Sequence, residues 1–101
     1  MSVMQRYRRR AGPRDLLYFQ TPSLWQYYPF LPVVRRPQGG ETTECGVLYD
    51  ARGVSGRSGY VCTIFLVNLF ALPRTEAALL ENPRQVYDTF DELADAGWTV
   101  D

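Results

Sequence analysis

The stretch that decides the fold is CGVLYDARGVSGRSGYVCTIFLVNLF, residues 45 to 70. Its two ends, CGVLYDAR (45–52) and YVCTIFLVNLF (60–70), are dense in β-branched and aromatic side chains. Such residues fit a pleated, half-buried surface, so both segments are predicted as strands. Between them RGVSGRSG (52–59) holds three glycines and two serines, which turn a chain at low steric cost, and it predicts the loop of a β-hairpin. With the loop centred near Gly53 and Val54, Cys45 stands opposite Cys62, and a register shift of one or two residues removes that pairing. The second strand is apolar on both faces, which predicts a central place in a sheet covered on both sides.

The same loop is the first place to look for chemistry. A phosphate-cradling loop needs a strand, a GxxxxGK[ST] motif and a following helix. Here the spacing fails, the chain has no lysine, and the next segment is β-branched. A nucleophile elbow needs GxSxG with a base, yet neither Ser55 nor Ser58 has both glycines and there is no histidine anywhere in the chain. Cys45 and Cys62 have no evident base beside them. Two cysteines without histidine also make neither a disulfide framework nor a zinc site, and they fit reduced thiols in the cytoplasm. No catalytic residue, metal or cofactor is assigned, and the expectation is a protein that is not an enzyme.

Working outward, residues 1–14 are basic and end in Gly12-Pro13, and they read as a flexible arm ahead of a single domain over 15–101. No apolar core follows the basic residues as in a signal peptide. LLYF (16–19) is expected as a first strand. The prolines at 29, 32 and 37 exclude a helix over SLWQYYPFLPVVRRP and place FLPVVRR at a sheet edge or in an extended segment. QGGETT (38–43) is a loop. Thr75 predicts the cap of a short helix over EAALLE. Asn82, Pro83 and Gln85 predict the cap, first turn and capping-box partner of a second helix. On that helix Val86, Phe90, Leu93 and Ala94 form the apolar stripe, and Asp88, Asp91, Glu92 and Asp95 form the solvated side. Gly97 is the stop, and Trp98 to Val100 form either a short terminal strand or a hydrophobic tail that folds back. The expected fold class is α+β: a small, mainly antiparallel sheet of three to five strands, with a C-terminal pair of helices packed on one face.

With 101 residues, 46% hydrophobic and 14% aromatic, the chain has material for one modest core. No apolar run is long enough to span a membrane. Net charge is zero but unevenly spread: residues 1–36 hold seven arginines against one aspartate, and residues 75–101 hold one arginine against seven acids. Two binding features follow. Trp25, Tyr27, Tyr28 and Phe30, interleaved with prolines, are large rigid anchors of the kind that carry interface energy. They serve either as a cover for the sheet or as a site for a protein partner or self-association. Arg6, Arg8, Arg9, Arg10 and Arg14 form a basic cluster that could neutralise nucleic-acid phosphates, and Arg52 with Arg57 would stand at the mouth of the hairpin as a second anion site. The expectation is therefore a small cytoplasmic protein–protein interaction module, an adaptor or regulatory subunit. The alternative is a nucleic-acid binder using the arginine arm, with an enzyme as the remaining class.

Overall fold

A computed structural model describes residues 12–36 and 42–101. It has helix α1 (Pro13–Gln20), strands β1 (Phe30–Arg35) and β2 (Glu44–Tyr49), helix α2 (Ala51–Ser55), strand β3 (Thr63–Phe65), helix α3 (Glu76–Leu80), strand β4 (Arg84–Val86), helix α4 (Phe90–Asp95) and strand β5 (Thr99–Val100). The strands form one antiparallel sheet in the order β4-β3-β2-β1-β5, so the chain is α+β. Among the described residues no helix is long and apolar enough to cross a membrane.

The two faces of the sheet follow from strand alternation. Leu31, Val33, Leu48 and Ile64 point to one face, where Phe19, Trp25, Leu93, Ala94 and Trp98 cover them. Val47, Tyr49 and Phe65 point to the other, under Ala51 and Leu79. The first core is built by α1 and α4, the second by α2 and α3. The expected C-terminal helix pair on one face is thereby corrected: α3 and α4 lie on opposite faces, because β4 is inserted between them. Trp98 is fully buried over Gly46, where a Cβ would come within 2.5 Å of Ile64 Cγ2 and 3.5 Å of the indole. Glycine is required at residue 46 by this close approach, since a side chain there would displace the strand or the ring. The Arg35 guanidinium lies 4.7 Å above the Trp98 ring, pairs with Glu44 at 2.7 Å and donates to the Ala96 carbonyl at 3.1 Å, tying β1 to the end of α4.

Several local expectations are corrected. LLYF is helical: Pro13 occupies the first turn of α1, and the Asp15 carboxylate accepts the Gly12 N–H at 2.9 Å. Pro13 and Arg14, read as the end of the arm, therefore belong to α1, and residues 1–11 of that arm lie outside the described residues. Phe30–Arg35 is an interior strand, between β2 and β5, despite Pro32. The Pro32 carbonyl accepts from the Asp101 N–H at 3.1 Å, so residue 32 turns its backbone toward β5 and its missing N–H costs no bond to β2. RGVSGRSG is not a hairpin turn. Asp50 caps α2 by accepting the Gly53 N–H at 3.1 Å, and Gly56, at φ 74°, closes it in the left-handed conformation. The β2–β3 register sets Val47 against Phe65, so Cys45 and Cys62 are not opposite and both are free. The strand expected over 60–70 contracts to Thr63–Phe65, after which the Asn68 side chain turns the chain by accepting the Phe70 N–H. Arg84–Val86 is a strand rather than a first helical turn. The real cap is Thr89, whose hydroxyl accepts the Glu92 N–H at 3.1 Å, while Glu92 accepts the Asp88 N–H. Thr75 caps α3, Gly97 has φ 98°, and Thr99–Val100 is the terminal strand, as the sequence predicts.

Candidate functional site

The aromatic segment divides between core and surface. Trp25 is buried and donates its indole N–H to the Tyr18 carbonyl at 2.7 Å. Phe30 stacks on Tyr49 at 5.2 Å on the opposite face of the sheet. Tyr27 and Tyr28 are left about half exposed on a tight turn closed by the Phe30 N–H to the Tyr27 carbonyl. Tyr28 donates to Asp50 at 2.8 Å, and that bond to a carboxylate holds its phenol above the usual range.

Tyr27 stands between two grooves. One, of about 500 Å³, runs between α1 and the start of β1 and is lined by Tyr18, Leu24 and Leu31, with Arg14 at its rim. The other, of about 270 Å³, lies across the end of β2 and is lined by Cys45, Leu69 and Phe70. Tyr27, Pro32 and Asp101 contribute to both, so the two grooves adjoin. Phe70 is 90% exposed, the most solvent-facing large apolar side chain among the described residues. The sequence predicts a strand residue here, whereas Asn68 caps a one-turn helix (Leu69–Ala71) that ends the strand and leaves Phe70 in solvent. Arg14 lies 5.8 Å above the Tyr18 ring.

The glycine-serine loop builds a second polar cluster. Glu76, at the start of α3, accepts from the Tyr49 hydroxyl at 2.5 Å, the Ser55 hydroxyl at 2.7 Å and the Arg57 Nε at 2.9 Å. These bonds, led by the one from Tyr49, hold its carboxyl below the usual carboxylate range. Burial, reinforced by the Glu76 charge, pushes the Tyr49 phenol up to about 12. Arg57 pairs through its Nε with Glu76, and Arg52 and Arg57 line one groove of about 370 Å³ beside Tyr49, Asp50 and Tyr60. Arg6, Arg8, Arg9 and Arg10 lie outside the described residues.

Burial, with help from Glu92 and Asp88, pushes the Cys62 thiol up, which leaves less of the nucleophilic thiolate at neutral pH. Among the described residues no three His, Cys, Asp or Glu side chains are grouped to hold a metal ion. The chain matches no family model, and comparison with curated proteins and with solved structures found no similar protein.

Proposed function

We propose that this chain is a non-enzymatic protein–protein interaction module of the cytoplasm that binds its partner through the paired grooves around Tyr27, with Phe70 as the principal anchor. The observation that carries the reading is the 90% exposure of Phe70 beside a half-exposed Tyr27. In a chain this small, with every other phenylalanine at least half buried, an aromatic ring held out in water beside a groove is unfavourable unless something covers it. Aromatic anchors next to pockets are where interface energy concentrates. The polar clusters support the same reading, because Glu76 ties α3 to Tyr49 of β2 and Asp50 caps α2 and holds Tyr28.

The test is affinity isolation of the tagged chain from its native cell, with and without nuclease, beside a Phe70→Ser variant. A protein retained through nuclease treatment and lost with Phe70→Ser is expected. Material released by nuclease and indifferent to residue 70 would replace this reading with the nucleic-acid alternative.

A further inference from the structure

The two edges of the sheet are finished differently. At the β5 edge the outward N–H of Val100 is closed by the Asp15 carboxylate at 3.0 Å. At the β4 edge the Pro83 carbonyl accepts from Leu66 and the Tyr87 N–H donates to Cys62, so residues 83, 85 and 87 face β3. Arg84 and Val86 alternate with them and therefore turn their N–H and C=O groups outward. Among the described residues no hydrogen bond reaches those four groups. The Val86 side chain is 66% exposed, with Val61 nearly half exposed on the neighbouring segment. An edge left open in this way is a template for another strand.

We propose that β4 is a self-association edge, pairing antiparallel with β4 of a second copy about a two-fold axis at Gln85. The outward groups sit symmetrically on either side of Gln85, which makes the edge complementary to itself. In this register Arg84 falls opposite the partner subunit's Val86 and Val86 opposite the partner subunit's Arg84. Four backbone hydrogen bonds form, each arginine stem packs on a valine, and no like charges are opposed. The joined sheets would carry ten strands, with the Tyr27 grooves toward the two far ends. The inference is independent of what those grooves bind, and two linked copies would engage a repeated partner with greater avidity.

A three-residue edge buries little, so the dimer is weak and visible only at high concentration. Sedimentation equilibrium of the full chain from about 10 μM to about 1 mM is expected to show the mass rising toward twice that of one chain, with the Arg84 and Val86 amides gaining exchange protection over the same range. Val86→Pro removes an outward N–H and no bond to β3. Val86→Lys sets a like charge opposite Arg84. Each, checked for folding by tryptophan fluorescence, is expected to weaken association at least about tenfold. If Val86→Pro fails to fold, Val86→Lys decides. A wild-type mass of one chain throughout, concentration-independent exchange at Arg84 and Val86, or a folded Val86→Lys that associates as tightly as wild type would overturn the proposal.

Discussion

Asp15 is the side chain whose removal should cost the fold most for its size. It is 7% exposed, and its two oxygens accept N–H groups that are far apart in the chain, Gly12 at 2.9 Å and Val100 at 3.0 Å. One carboxylate thus caps α1 and seals the β5 edge, fastening the start of the described chain to its end. A hydrogen bond to a charged group contributes about 1.5–3 kcal/mol, so losing both predicts about 3–6 kcal/mol for Asp15→Ala. That is a large part of the roughly 5–15 kcal/mol that holds a small domain together. Asp15→Asn keeps one acceptor and turns an amide N–H toward the other donor, for about 2–3 kcal/mol. Urea unfolding followed by the fluorescence of the buried Trp25 and Trp98 reads both values, and hydrogen exchange at the Val100 amide reads the local seal. If both variants stay within about 1 kcal/mol of wild type with an unchanged urea slope, and Val100 exchanges no faster, Asp15 does not clamp the two ends.

Four further outcomes follow from the packing and the polar clusters. Gly46→Ala forces a Cβ to 2.5 Å from Ile64 Cγ2 and 3.0 Å from the Phe65 carbonyl oxygen, and should cost about 1–3 kcal/mol in the same urea assay. Thr89→Ala should cost about 1 kcal/mol, whereas Asn82→Ala, which removes no cap from α4, should cost distinctly less. The Tyr49 phenol, raised to about 12 in the fold from an ordinary 10, favours the folded state while protonated. Its contribution of about 2–3 kcal/mol is whole below pH 10 and is lost as pH climbs toward 12, so Tyr49→Phe should flatten that part of the stability–pH curve. The Glu76 carboxyl works in the opposite direction: held below its usual range, its stabilisation is present at neutral pH and fades as pH falls beneath the ordinary glutamate value.

The parts of the fold legible in the sequence are those with a local cause. Thr75 caps α3 and Gly97 ends α4 because cap geometry involves only a few neighbouring residues. The antiparallel pairing of β2 with β3 was also legible, since Val47, Leu48, Ile64 and Phe65 have no better use than a two-sided sheet. What failed depended on distant partners. Four apolar residues at 16–19 suit a strand or a helix; the Pro13–Asp15 start signal is local and decides for a helix, and Val100 then shares its carboxylate. Asn82-Pro83 reads as a helix start until β3 supplies a ladder for Arg84–Val86. The helical signal of RGVSGRSG is split across its boundary: Asp50, two residues before it, is the N-cap, and Gly56 within it is the C-terminal stop. Of the candidate site, Tyr27 is visible as an anchor and Asn68 is a local signal for the turn that exposes Phe70, but nothing local shows that Trp25 and Phe30 are consumed by opposite cores.

The central claim is that the surface around Phe70 is covered by a protein partner. A photo-crosslinking phenylalanine analogue at residue 70, with a control analogue at Val54 on the exposed side of α2, tests it in the native cell. A discrete protein adduct of defined mass at residue 70 that does not form at Val54, and that survives nuclease, is the predicted result. No adduct at residue 70, or the same diffuse adducts at both positions, would contradict it.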